Sequence, residues 1–219
     1  MNIGIKAVLY KVRWFFLPYL ILIAACLIIK LSYSREEIYY AVNTRYSNWA
    51  DFIEPYITDL GNFWTVVFLS AVFALFNYAK AFLVLIINSA TAITAQVIKH
   101  IFDAPRPKLY FQDQLLKIHF VKGIDQLTLH SFPSGHTVTA FTTGLLFTYW
   151  CKNKFWGLPF LLIAIAVGYS RMYLSQHFFE DVTAGSVIGV IFTVFWIKWS
   201  ENWKFLKTPG WNRGLFKKN

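Results

Sequence analysis

The sequence predicts an all-α, polytopic membrane protein: a bundle of six transmembrane helices with interfacial helices outside the membrane. Three observations carry that expectation. Of 219 residues, 57% are hydrophobic, and the mean hydropathy is +0.45. The apolar residues fall in six runs, about 15–31, 63–79, 81–98, 137–150, 155–170 and 182–199, at or just under the ~20 residues of a bilayer-crossing helix. Apart from Lys30 and Lys198 at the ends of two runs, the charged residues sit in the gaps between runs, as they do in proteins whose apolar segments sit in lipid.

The first run follows Lys6, Lys11 and Arg13. Ile23-Ala24-Ala25-Cys26 has the look of a lipoprotein cleavage site, but Leu27-Ile28-Ile29 carries the run past the cysteine, which predicts an uncleaved helix. Residues 32–62 mix Arg35, Glu36, Glu37, Asp51, Glu54 and Asp59 with Tyr39, Tyr40, Tyr46, Trp49 and Phe52, a composition suited to helices lying at the membrane surface. Asn77-Tyr78-Ala79-Lys80 and Lys152-Asn153-Lys154 are tight turns, whereas Lys99–His136 is a long connection. Within it, Leu109-Tyr110-Phe111 and Ile118-His119-Phe120-Val121 are candidates for a lid or an interfacial element. The chain reads as one domain, 1–219, with a motif-bearing core at about 60–200 and a basic tail at about 200–219.

A net charge of +10 and a pI near 9.6 suggest nucleic acid only until the charges are placed, because they form no continuous basic face. Topology accounts for them better. With the amino terminus inside, the inner side holds Lys6, Lys11, Arg13, Lys80, Lys152, Lys154, Lys198, Lys204, Lys207, Arg213, Lys217 and Lys218, twelve basic residues against the single acid Glu201. The outer side keeps nine basic residues and ten acids. Both termini are therefore expected in the cytoplasm. The two cysteines, Cys26 and Cys151, make neither a disulfide framework nor a metal site.

Four polar clusters stand at the ends of apolar runs, and alternating topology puts them all on the outer side: Lys99 with Arg106-Pro107, Pro133-Ser134-Gly135-His136, Arg171, and His177 with Asp181. Helical spacing extends stripes of small residues beneath them: Asn88, Thr91, Ala92 and Ala95 below Lys99, Ala140, Thr143 and Gly144 below His136, Ala164 and Gly168 below Arg171, and Gly185 with Gly189 below Asp181. Small residues let membrane helices approach closely. A helix opening at Gln176 would set His177 and Asp181 on one face. The carboxylate can then accept an imidazole N–H and orient the other ring nitrogen toward a substrate.

These residue types suit phosphoryl transfer. Lys99, Arg106 and Arg171 offer three positive charges to phosphate oxygens. Ser134 offers a hydroxyl, and the amides of Gly135 and His136 at a helix amino terminus form an anion nest. His177 is a candidate nucleophile and His136 a candidate acid. Two histidines and an aspartate also suggest a metal, but three crowded cations would repel one. His100, His119 and His130 read as polar surface or loop residues, and Asp103 and Glu180 as bystanders.

The three motifs Lys-x6-Arg-Pro (Lys99–Pro107), Pro-Ser-Gly-His (Pro133–His136) and Ser-Arg-x5-His-x3-Asp (Ser170–Asp181) closely resemble the pattern of the type 2 phosphatidic acid phosphatase family, complete and in order. The resemblance covers roughly residues 60–200. It implies a six-helix integral membrane fold and a metal-independent phosphohistidine mechanism without cofactor. It further implies that His177 is the nucleophile, Asp181 its orienter and His136 the acid, with Lys99, Arg106, Ser134, Gly135 and Arg171 binding phosphate. The expected partners are the bilayer and a lipid phosphate or diphosphate, with no nucleic acid. Polyprenyl diphosphate, phosphatidylglycerophosphate, phosphatidic acid and lipid A phosphates are all compatible. A bacterial inner membrane, with the site facing the periplasm or exterior, is the expected setting. A vanadate-dependent haloperoxidase and a non-catalytic lipid-phosphate binder or transporter are the alternatives; six spans argue against the first and the complete nucleophile and acid positions against the second.

Overall fold

The computed structural model describes residues 4–216, so Lys217 and Lys218 of the inner-side count lie outside the described residues. All regular structure among the described residues is helical: α1 (Ile5–Lys11), α2 (Arg13–Ser32), α3 (Arg35–Asn43), α4 (Asn48–Asp59), α5 (Phe63–Phe76), α6 (Tyr78–Phe102), α7 (Pro107–Tyr110), α8 (Gly135–Trp150), α9 (Gly157–Tyr173) and α10 (Phe179–Ser200). Each of the six apolar runs is mostly helical, although the second is broken at Asn77 and the fifth opens in a short 3₁₀ turn, Lys154–Trp156. By length and composition, Arg13–Ser32, Tyr78–Tyr110, Lys154–Tyr173 and Phe179–Ser200 can cross a membrane, and α4 with α5, bent by 56°, makes a fifth if counted together.

The centre of the bundle is α8, packed against α6, α9 and α10. Its 16 residues rise only ~24 Å, less than the ~30 Å of a hydrocarbon core. Protein rather than lipid surrounds it, because Thr137, Val138, Thr139, Phe141, Thr142, Leu145, Leu146 and Thr148 are all buried. Threonine is tolerable there because its hydroxyl finds partners: Thr142 donates to Thr91 at 3.3 Å and Thr143 to Asn88 at 3.1 Å on α6, and Thr148 to the Gly144 carbonyl at 2.8 Å. The small-residue stripes do bring backbones together. A Cβ on Gly185 would lie 2.7 Å from the Ser134 carbonyl oxygen, and one on Gly189 2.8 Å from that of Val138. The α8–α10 contact therefore depends on hydrogen at both positions.

Two terminal features have no signature in the apolar pattern. Helix α1 tucks beneath the bundle, burying Val8 and Val12 in the main core with Phe15 and Phe141. The basic tail folds back onto the break between α5 and α6. There the amides of Tyr78 and Ala79 donate to the carbonyls of Arg213 and Trp211, both at 2.9 Å. The amides of Leu215 and Phe216 donate to the carbonyls of Ala74 and Leu75 at 3.2 and 2.9 Å. One strap thus satisfies groups that two helix ends would leave orphaned. Trp203, Phe205 and Trp211 hold it against Phe82.

The strap passes at Gly214, where a Cβ would stand 2.4–2.5 Å from backbone atoms of Leu75 and Phe76. Gly214→Ala is expected to cost about 1–3 kcal/mol by overpacking and to lower the unfolding temperature in detergent. Gly210→Ala, with open space around it, is the matched control and should leave that temperature unchanged; equal shifts in both would show that the strap does not hold the α5–α6 break.

Candidate active site

Four helix ends converge at one end of the bundle. Lys99 lies in the last turn of α6, which stops where Asp103 turns left-handed at φ 39°. The chain then runs extended through Arg106 to Pro107, the first residue of α7. The returning end of the long connection pairs with this segment. The Arg106 amide donates to the Thr128 carbonyl at 2.8 Å, and the Ser131 amide to that of Ala104 at 2.9 Å.

That pairing presents carbonyl oxygens to the cations. Lys99 Nζ donates to the His130 carbonyl at 2.7 Å, and Arg106 Nε to that of Leu129 at 2.9 Å. Arg106 Nη1 reaches the Gln176 carbonyl at 3.0 Å and its Oε1 at 3.2 Å. Arg171 Nη1 donates to Thr58 Oγ1 at 2.9 Å, its Nη2 lies 3.5 Å from Gln176 Oε1, and its buried Nε has no partner. Lys99, Arg106 and Arg171 are only 6–7% exposed, yet among the described residues none has a carboxylate within 4.0 Å. Neutral oxygens hold all three charges.

The turn after α9 delivers His177. Ser175 is left-handed at φ 55°; the Ser175 amide donates to the Met172 carbonyl, and that of Gln176 to the Arg171 carbonyl, each at 3.0 Å. These are the two bonds of a Schellman cap. Serine in place of the usual glycine is held there by Tyr39 Oη and Asn43 Nδ2, at 2.8 and 3.2 Å from its Oγ. The helix expected to open at Gln176 therefore opens at Phe179, and His177 belongs to the preceding cap. Asp181 explains the late start, since its Oδ2 accepts the Phe178 amide at 2.8 Å and caps α10.

His177 and Asp181 nevertheless meet, with Nδ1 and Oδ2 3.5 Å apart and both side chains buried. Ser134 caps α8 and donates its amide to the Asp181 carbonyl at 2.9 Å. Gly135 and His136 are the first residues of α8, so their amides have no intrahelical acceptor. Burial first, then the charges of Arg106, Arg171, Lys99 and His136, hold the His177 imidazole well below its ordinary pKa. His177 is thus neutral, with one ring nitrogen free as a lone pair. Among the described residues no three His, Cys, Asp or Glu side chains group as a metal site.

Sequence reasoning missed several participants. Ser131, Gln176 and Thr58 contact the paired or cationic side chains, and the carbonyls of Leu129 and His130 serve the cations although their side chains do not. His119 is a strut rather than a loose loop residue: its Nε2 lies 2.9 Å from both Asp51 oxygens, and Tyr46 stacks on its ring at 4.0 Å. Glu180 is no bystander either, because it pairs with Arg35 at 2.5 Å and Lys30 at 3.6 Å. Tyr39, read as an interfacial aromatic, is buried with Phe111, Ile118 and Phe178, so the two segments suggested as a lid form a packed roof.

A sequence model of the PAP2 superfamily matches residues 77–205. A lipid A 1-phosphatase of Porphyromonas gingivalis is 30% identical over 43% of this chain and 21% of its own. A putative undecaprenyl-diphosphatase, YbjG, of Escherichia coli is 32% identical over 42% of each chain. The chain spans between 21% and 55% of the length of five curated relatives it matches. Among solved structures, the PAP2 type phosphatidylglycerolphosphate phosphatase of Bacillus subtilis superposes with a TM-score of 0.63 at 25% identity, covering 89% of this chain and 98% of that one.

Among the described residues, Gln176 is the one side chain hydrogen-bonded to both Arg106 and Arg171. Gln176→Leu should weaken inhibition by orthovanadate, a phosphate mimic, about tenfold, the worth of a hydrogen bond to a charged group. An unchanged inhibition constant would mean that the amide does not set the guanidinium positions.

Proposed function

The chain belongs to the PAP2 superfamily, and from that premise we propose that it is a metal-independent phosphatase acting on a lipid phosphomonoester or diphosphate at the outer face of a membrane. The observation that carries this reading is the set of three buried cations without carboxylate partners beside a neutral, buried imidazole. Burying an unpaired charge costs several kcal/mol, and a phosphate between Lys99, Arg106 and Arg171 offsets that cost. Ser134 and the α8 amides supply neutral donors to the same anion.

In the proposed reaction, His177 Nε2 attacks phosphorus while the bond from phosphorus to the lipid oxygen breaks. His136, protonated once the negative charge of the bound phosphate offsets the cations around it, gives that oxygen its proton. Water then attacks the phosphohistidine, passing its proton to His136, and the P–N bond breaks to release phosphate and neutral His177. Asp181 holds Nδ1–H throughout and balances the positive charge that the ring gains in each transition state.

The membrane part is proposed to have six crossings, α2, α5, α6, α8, α9 and α10, with α3, α4 and α7 at the outer interface. Helix α5 is short, but the 56° elbow continues it into α4, and α8 is sheathed by its neighbours. The Lys and Arg distribution favours an outward-facing site and cytoplasmic termini, and the relatives named above favour a bacterial inner membrane. Their printed substrates differ, so the shared class is a phosphorylated lipid: polyprenyl diphosphate, phosphatidylglycerophosphate, phosphatidic acid or a lipid A phosphate.

Roles are separated by trapping labelled phosphate on acid-quenched enzyme, with a lipid phosphate and p-nitrophenyl phosphate as substrates. His177→Ala should abolish the trapped label. His136→Ala should lose about 10²–10⁴-fold in rate on the lipid but less on p-nitrophenyl phosphate, whose leaving group needs little protonation. Label retained in His177→Ala, or an equal His136→Ala defect on both substrates, overturns the assignment.

Sidedness is read in spheroplasts after Cys26 and Cys151 are replaced. Asp125→Cys should react with an impermeant maleimide, and Asn153→Cys should react only after lysis. The reverse pattern would put the site inside.

A further inference from the structure

We propose that Ser131 is a positioning residue for the nucleophile: its hydroxyl and the Asp181 carboxylate together hold Nδ1–H of His177, which fixes the tautomer and leaves Nε2 as the attacking lone pair. The inference rests on the histidine-nucleophile reading above.

The geometry begins on the far side of the ring. Arg106 Nη1 lies 3.4 Å from His177 Nε2. A guanidinium can only donate, so Nε2 faces it as an acceptor and the ring proton belongs on Nδ1. On that side stand two oxygens, each 3.5 Å away: Asp181 Oδ2 and Ser131 Oγ. One contact of that length is a weak restraint. Two oxygens flanking one N–H restrain the ring better than either alone, and they are coupled to each other. Ser131 Oγ donates to Asp181 Oδ2 at 2.5 Å, so its single proton is committed to the carboxylate and its lone pairs are left to face the imidazole.

Ser131 is 1% exposed, so its hydroxyl is shielded from bulk solvent and faces the carboxylate and the ring. Its amide is fixed on the Ala104 carbonyl, and its neighbour His130 gives its carbonyl to Lys99 and Arg106. The same short segment therefore holds two phosphate-binding cations through its carbonyls and the nucleophile's partner through a side chain. Without the hydroxyl, Asp181 Oδ2 keeps the Phe178 amide and the longer contact with His177 Nδ1, and the ring loses one of the two acceptors that make Nδ1–H the preferred tautomer. The other tautomer would aim Nε2–H at Arg106 and have no lone pair for phosphorus.

The test reads the tautomer and the reaction separately. Protein labelled with ¹⁵N-histidine in detergent gives imidazole nitrogen shifts, and the His177 signals are those missing from His177→Ala. Wild type should show protonated Nδ1 and bare Nε2; Ser131→Ala should show a mixture. In the same variant, single-turnover phosphoenzyme formation should slow about 10- to 100-fold. Added to Asp181→Asn, Ser131→Ala should cost less than about twofold more, because both act through one ring. If Ser131→Ala does not fold, Ser131→Cys, near-isosteric with a weaker donor, carries the same measurements. An unchanged tautomer in the Ser131 variant, or a rate loss that multiplies in full with that of Asp181→Asn, overturns the proposal. A tautomer shift in a protein whose wild type traps no phosphate would instead overturn the phosphohistidine reaction and leave the role of Ser131 standing.

Discussion

Three positive charges are buried at one end of this bundle, and neutral oxygens keep them there. That constraint orders most of the surrounding structure. A carboxylate beside Lys99, Arg106 or Arg171 would make burial cheaper and would cancel the field a phosphate needs. Carbonyls solvate the charges without cancelling them, but only if backbone is delivered at hydrogen-bond distance. The 104–106 and 128–131 segments pair for that purpose, and the Schellman turn after α9 brings the Gln176 carbonyl to Arg106.

Delivering backbone requires rigidity from elements remote in sequence. Asn43 on α3 donates to the His119 carbonyl at 2.8 Å and accepts the His119 amide at 3.0 Å, pinning the long connection. Asp51 on α4 ties His119 to Tyr173, whose hydroxyl lies 2.5 Å from the carboxylate. The segment between the first two apolar runs, polar and aromatic in sequence, thus acts as a brace. It fixes the loop that fixes the cations. Beneath it, α8 and α10 meet at glycine distance, and this sets Ser134 against Asp181.

The six helices were legible because each needs only a long apolar run. The convergence of Lys99, Arg106, His136, Arg171, His177 and Asp181 was legible because they stand at the ends of apolar runs, where such residue types have few other reasons to occur. The carbonyls of Leu129, His130 and Gln176 were not, since any residue supplies the same oxygen and the type leaves no trace. Ser131 and Thr58 are ordinary hydroxyl residues whose role appears only when α10 and α9 lie beside them. The start of α10 was misplaced because His177 and Asp181, four apart, fit a continuous helix as well as a cap followed by a helix; the left-handed Ser175 decides it. The α1 tuck and the tail strap depend on satisfying helix ends across the chain, which no local pattern encodes.

The two halves of the site constrain each other. In the proposed reaction a histidine nucleophile must be neutral when phosphate arrives, and burial together with the charges of Arg106, Arg171 and Lys99 keeps His177 so. The same cations would favour the tautomer with its lone pair toward them, since Arg106 cannot accept a proton. One carboxylate is therefore admitted, but only on the opposite edge of the imidazole, where Asp181 answers Nδ1–H, the Phe178 amide and Ser131 together. Placed there, it would meet the charge that the ring gains in the proposed reaction, while remaining beyond ion-pair distance of Lys99, Arg106 and Arg171. A second acid near phosphorus would undo both arrangements. Other acids are engaged elsewhere: Glu180 with Arg35 and Lys30, Asp51 with His119 and Tyr173, Glu37 with the α3 cap. Charge segregation, more than any single contact, leaves the three buried cations without a carboxylate partner among the described residues.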